Sequence, residues 1–295
     1  MAYLVLVSLL WSFSFGVIKV WLADLDAFFV AAVRLFWALL VFLPFFRLGR
    51  FKRRDYSQLL LIGAVQYGVM YMAFIYCFSV LKAYEAALFS IFTPLYVILF
   101  NYIIRGGWQN RFFVSAALSV IGAGIIKYAS FGSEGWLAGF LLMQLSNASF
   151  AFGQIYYKHW RQKHPEFQNH EVFAVVYLGS FLLTGLMALA FTDWSTLTVT
   201  VEQHAALFYL GVVASGLGLF FWNVGATKTG PGALAVSNNL LVPLAVIVSL
   251  VVFNEGQSLN RGEWLRLIIG GGVLLLALSI KGKVEAPNLS KKIAC

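Results

Sequence analysis

Three ionisable side chains, Lys19, Arg34 and Glu85, stand inside long apolar runs. A charge near the centre of a membrane helix costs roughly 2.5–3.5 kcal/mol on insertion scales, so each needs a partner, water or a task. Arg34 and Glu85 could meet as an ion-pair gate. They could instead clamp a zwitterion, the guanidinium taking its carboxylate at two points and Glu85 its ammonium. The plainer alternative is that Lys19 extends to the interface and Glu85 caps its own helix beside Lys82. A neutral set accompanies these charges. Gln144, Asn147, Ala151, Gln154 and Lys158 recur at spacings of three and four, which is one face of a helix. Such a face either packs through interhelical hydrogen bonds of about 0.6 kcal/mol each or lines a wet cavity. Gln66, Tyr67, Met70, Tyr71 and Phe74 share one side of another helix, Asn223 follows Trp222, and Asn238 and Asn239 precede Pro243. Amides are neutral, directional partners for a polar uncharged ligand or an amino-acid backbone. The candidate substrate-binding set is therefore Arg34, Gln66, Tyr67, Tyr71, Glu85, Gln144, Asn147, Asn223, Asn238 and Asn239. Pro94 and Pro243 each remove a helical hydrogen bond, which gives either a fixed kink or a hinge.

These residues need a scaffold, and composition says which. The 295-residue chain is 61% hydrophobic and 11% charged, with mean hydropathy +0.82. Soluble domains carry about 25% charged residues. Apolar stretches of about 20 residues, the length that crosses a bilayer as helix, recur throughout. Hydropathy and punctuation by charge, Pro and Gly place ten spans at roughly 3–22, 27–46, 57–80, 83–104, 112–129, 135–157, 171–191, 204–227, 231–253 and 264–281. The expected class is an all-α integral membrane protein with ten transmembrane helices.

With both termini cytoplasmic, the inside segments hold 15 of the 21 basic residues and the outside turns 8 of the 12 acidic ones. That is the positive-inside pattern, so the basic balance reflects topology and a nucleic-acid partner is not expected. Cys77 and Cys295 fall on opposite sides, which excludes a disulfide between them. No nucleotide-binding glycine loop occurs, and the four histidines lie in loops or at a span edge. No catalytic residue, metal or cofactor is expected. A membrane enzyme would need a nucleophile, an acid–base pair or a metal cluster at depth. Glu85 is the one candidate for carrying a coupling proton within the membrane.

The chain also repeats itself. Trp11-Ser12-Phe13-Ser14-Phe15-Gly16-Val17-Ile18 returns as Ala148-Ser149-Phe150-Ala151-Phe152-Gly153-Gln154-Ile155, with five of eight positions identical. Pro94-Leu95-Tyr96-Val97-Ile98 returns as Pro243-Leu244-Ala245-Val246-Ile247. The offsets are 137 and 149 residues, about half the chain. An odd number of spans per copy inverts the second copy. The expected organisation is a first repeat at 1–130, a second at 131–283 and a short cytoplasmic tail at 284–295. A hydrophobic chain repeated once is the usual build of a secondary transporter, with its site between the halves. Gly122 and Gly124 in the fifth span and Gly270, Gly271 and Gly272 in the tenth suggest that these two spans pack outside the transport core. The oligomeric state stays open.

Laid out this way, the chain resembles the drug/metabolite transporter superfamily, in particular the bacterial EamA-type exporters. The resemblance rests on the Trp11-Ser12 stretch, Arg34, Pro94, Pro243, Trp222-Asn223-Val224-Gly225-Ala226 and Asn254-Glu255. It implies two inverted five-helix halves around a central cavity in the bacterial inner membrane. It also implies export of amino acids, other metabolites or toxic compounds. Glu85 departs from the small apolar residue usual there, and the fourth span lacks the acidic residue that closes the ninth. The function expected is export of a small polar metabolite, such as an amino acid, by alternating access. The alternative is a polyspecific exporter of amphipathic or aromatic toxins, which the 17% aromatic content suits.

Overall fold

The computed structural model describes residues 2–105, 121, 125, 135–229 and 231–279. Among these residues the chain is helical throughout, without a strand. The first four helices are α1 (Ala2–Leu22), α2 (Ala27–Phe45), α3 (Arg53–Cys77) and α4 (Ala83–Ile104). Then come α5 (Trp136–Lys163), α6 (Asn169–Phe191) and α7 (Val201–Thr227). Helix α8 (Pro231–Ile247) runs on through a wide turn, Val248–Val252, and α9 is Arg261–Ser279. Six of them, α1 to α4, α6 and α7, are long and apolar enough to cross a membrane. The expected fifth span, with Gly122 and Gly124, lies outside the described residues apart from Ile121 and Ile125. So does the tail at 284–295.

Local chemistry explains where helices begin. The Asp26 side chain accepts from Phe29 N at 2.9 Å and starts α2. Thr200 and Gln203 cap each other at the start of α7. Both are N-terminal caps that satisfy backbone donors left over by the first turn. Helix α5 is long yet less apolar, and its burial pattern gives the reason. Ser146, Asn147, Gln154 and Lys158 face inward, while Leu137, Leu141 and Leu145, spaced by four, face outward. Polar inside and apolar outside is the arrangement a lipid surround demands.

Eight helices close a ring in the order α1, α8, α4, α5, α3, α6, α2, α7 and back to α1, each packing most extensively on its two neighbours. Two of them, α3 and α7, widen in mid-course to π-type hydrogen bonding, at Ala64–Val69 and Leu210–Leu217. These segments match in sequence: Gly63 and Gly68 correspond to Gly211 and Gly216 at an offset of 148. A Cβ at Gly63 would lie 1.8 Å from Val176 O of α6. One at Gly211 would lie 2.6 Å from Trp37 Cβ and 3.1 Å from Arg34 O of α2. The missing side chain is what lets each widened helix reach its neighbour, and the second contact brings α7 against Arg34.

Candidate functional site

The ring encloses a cavity of about 90 Å³, open at one mouth and roomy enough for several waters. Its walls come from seven helices and lie near the middle of most of them. Helix α1 supplies Trp11, Ser14 and Phe15, α2 supplies Arg34, and α3 supplies Met70, Tyr71 and Phe74. Ser90 and Thr93 come from α4, and Ser146, Asn147 and Phe150 from α5. Leu219 and Trp222 come from α7, and Asn238 from α8. Aromatic faces dominate: the Trp11 and Trp222 rings are 5.0 Å apart, with Phe150 set edge-on to Trp11 at 5.8 Å.

Arg34 is the one charged side chain in this lining among the described residues, and it is 1% exposed. Its guanidinium carbon sits 4.2 Å from the centre of the Tyr71 ring. Its Nη2 donates to Ser215 Oγ at 3.2 Å, and Ser215 Oγ donates to the Tyr71 hydroxyl at 2.9 Å. A desolvated cation over an aromatic face gains about 2 kcal/mol or more. Ser215 belongs to the widened stretch of α7, whose backbone bonding is of the π type. Trp11 Nε1 donates to Ala214 O at 2.8 Å, and the Tyr177 hydroxyl lies 2.8 Å from both Ser215 O and Gly216 O. Side chains of α1 and α6 thus satisfy backbone that lipid could not.

Toward the basic end lies a second network. Gln66 Nε2 donates to Asn223 Oδ1 at 3.3 Å, and Asn223 Nδ2 donates to the Tyr67 hydroxyl. Tyr67 stacks on Tyr177, with centroids 5.6 Å apart. Trp222 Nε1 donates to Gln154 Oε1 at 3.2 Å, tying this layer to the cavity wall. Lys158 donates to Thr229 O nearer the same end.

The profile of the EamA-like transporter family matches residues 1–128. A protein named "Biotin transporter" from Salmonella typhimurium is 38% identical over 292 residues, covering 98% of this chain and 95% of that one. Another of the same name, from Escherichia coli strain K12, is 38% identical over 295 residues, covering 99% and 96%. The chain belongs to the EamA-like transporter family, within the drug/metabolite transporter superfamily. A solved crystal structure shares its fold, with a TM-score of 0.68 at 15% identity over 96% of this chain and 98% of the other. Family membership and six apolar helices make it an integral membrane transporter.

The structure sorts the residues singled out from the transporter's sequence. Arg34, Tyr71, Asn147 and Asn238 line the cavity together. Asn147 also braces α4: its Nδ2 donates to Phe89 O at 2.8 Å, and its Oδ1 accepts from Thr93 at 3.2 Å. Gln66, Tyr67 and Asn223 form the second network instead. Gln144 stands beside Asn147, its Oε1 accepting from Tyr96 at 3.4 Å. Glu85 lies outside the lining and accepts from Lys82 N at 3.0 Å at the start of α4. Arg34 engages Ser215 and Tyr71, so the plainer reading of Glu85 as a helix cap fits this geometry. Nothing is described of the Asn239 side chain. Pro94 follows a tight turn, Ser90–Phe92, at the start of a helical segment, whereas Pro243 lies inside continuous helix.

Sequence reading passed over Ser14, Phe15 and Phe150. Their signal was present, since the twice-occurring Ser-Phe-x-Phe-Gly block is itself a piece of the wall. It also treated Trp222 only as a neighbour of Asn223.

Proposed function

We propose that the chain is a secondary transporter that moves biotin or a close chemical relative across the bacterial inner membrane by alternating access. The carrying observation is the mid-depth cavity walled by helices from both halves of the chain. Its mix of aromatic surface and a few directed polar groups suits a small bicyclic metabolite better than a free amino acid. The near full-length relatives point the same way, because their names specify biotin.

The halves, 1–130 and 131–283, are read as inverted repeats of a ten-helix carrier. The ring supports this reading. Exchanging α1 with α5, α2 with α6, α3 with α7 and α4 with α8 maps every neighbouring pair onto another neighbouring pair. The basic end, with Arg47, Arg50 and the Arg161–Lys163 turn, faces the cytoplasm by the positive-inside rule. A carrier without its own energy source runs in whichever direction the gradient sets, so export and uptake are one mechanism with opposite driving force. Pro243 and the wide turns of α3 and α7 are the proposed flexing points, with Pro94 setting the bend of α4.

A second reading keeps the same cavity and gives it amphipathic aromatic compounds. Trp11, Phe74, Phe150 and Trp222 on its walls favour that. Counterflow in proteoliposomes separates the two. Vesicles loaded with unlabelled biotin are expected to accumulate labelled biotin, whereas amino acids and aromatic cations in the lumen drive no exchange. Exchange driven by the cations and not by biotin would replace the first reading by the second.

A further inference from the structure

Hydrogen-bond donors around the cavity are unevenly used. Arg34 Nε and Nη1 make no hydrogen bond to the protein, and neither does Ser14 Oγ on a residue 5% exposed. All three atoms belong to side chains of the cavity wall. Nε and Nη1 carry three N–H donors between them. Among the described residues no carboxylate lines the cavity to receive them. A buried cation left this way is expensive unless an anion joins it.

The repeat shows that folding does not call for this charge. Val30-Ala31-Ala32-Val33-Arg34 of α2 aligns with Val172-Phe173-Ala174-Val175-Val176 of α6. The equivalence is physical as well, since Arg34 O lies against Gly211 and Val176 O against Gly63, the two matching glycines of the widened helices. Val176 therefore does structurally what Arg34 does, without a guanidinium. Ser14 corresponds to Ala151 in the same way. Arg34 and Ser14 are thus polar at positions where the other half carries the apolar Val176 and Ala151.

We propose that Arg34 and Ser14 form an anion subsite that takes the free carboxylate of the cargo, so that the transported species is a monoanion with a neutral head. This rests on the transport reading above. Arg34 supplies the two-point, charge-assisted contact and Ser14 a third donor. Ser215 and Tyr71 hold the guanidinium in place for it. Asn238 spends its Nδ2 on Leu234 O at 3.0 Å. Its Oδ1 stays available to accept from an N–H of the neutral head, and no carboxylate offers an amino-acid ammonium a home.

The test compares each acid with its own carboxamide on the purified full chain. Binding of biotin and of biotinamide is measured by calorimetry. Pentanoate and pentanamide are titrated in parallel against tryptophan fluorescence, to which Trp11 and Trp222 contribute from the wall. The wild type is expected to favour the acid by about 100-fold, as loss of charge-assisted hydrogen bonds predicts. Arg34→Gln should erase that preference. Ser14→Ala, which copies Ala151 and so leaves the fold undisturbed, should weaken the acid about 10-fold and leave the amide unchanged. Equal binding of acid and amide by the wild type overturns the subsite, as does a preference that survives Arg34→Gln or a Ser14→Ala variant that weakens both equally. A wild type that ignores biotin but still prefers pentanoate to pentanamide removes biotin as cargo while sustaining the subsite.

Discussion

At the scale of the residue, Tyr71 does two separable things. Its ring lies under the Arg34 guanidinium, and its hydroxyl accepts from Ser215. Tyr71→Phe removes only the second. One buried hydrogen bond between neutral groups is worth about 1 kcal/mol, and Ser215 Oγ still accepts from Arg34. Tyr71→Leu also removes the aromatic face, a further loss of about 2 kcal/mol at a desolvated site. The expected order of thermal stability in detergent is wild type, then Tyr71→Phe, then Tyr71→Leu, and biotin uptake should fall in the same order. If Phe and Leu are equally damaging, the ring contributes nothing to holding Arg34. Sequence showed that Arg34 and Tyr71 were worth suspecting, because charge and hydroxyl inside an apolar run need partners. It could not show that Glu85 would be occupied with the backbone at Lys82, since capping and gating use the same residue types.

At the scale of the element, the widened stretches of α3 and α7 explain both what was legible and what was not. Charge and proline punctuation placed the described helices well, because a spanning helix is long and its ends are polar. A helical wheel drawn through α3 puts Tyr67, Tyr71 and Phe74 on one face. The wide turn at Ala64–Val69 rotates that face. Tyr67 ends against Asn223 and Tyr177, while Tyr71 and Phe74 look into the cavity. Nothing in the residue pattern announces an extra residue per turn until the neighbouring glycines are seen packed on α6 and α2. Two tests belong here. Gly63→Ala should destabilise by about 1–3 kcal/mol as an overpacked contact, because its Cβ has nowhere to go beside Val176 O. Gly271→Ala, with nothing within 4 Å of its Cβ, is the control and should leave the melting temperature in place. Tyr177→Phe should cost about 1 kcal/mol by removing the buried hydroxyl that reaches the Ser215 and Gly216 carbonyls. It should also speed hydrogen exchange across 210–220. Unchanged exchange there would mean that the widened segment holds itself.

At the scale of the whole molecule, both ends of the ring are tied across helices far apart in sequence. At the basic end Arg50 Nε meets Glu171 at 3.3 Å, and Arg47 joins it at 3.9 Å. At the other end Glu255 accepts from Ala83 N at 2.9 Å and Tyr84 N at 3.0 Å, capping α4 from beyond α8. Gln203 donates to Asp24 there at 3.3 Å. A carrier that rocks must break one set at a time, so neither set can be strong. The basic latch suits that requirement: Glu171 is buried, but its partner Arg50 is 42% exposed, and an ion pair open to solvent on one side is screened toward about 0–1 kcal/mol. Glu171→Gln should therefore barely change stability. A covalent tie in the same place should act very differently. In a background with Cys77→Ala and Cys295→Ser, the pair Arg50→Cys and Glu171→Cys joined by a short bis-maleimide is expected to abolish counterflow. Biotin should still bind once, from the opposite side, since the cavity itself is untouched. The singly substituted, equally treated proteins should keep both activities. Full exchange through the cross-linked pair would show that the basic end need not open, and the carrier would then work by some route other than rocking between two closures.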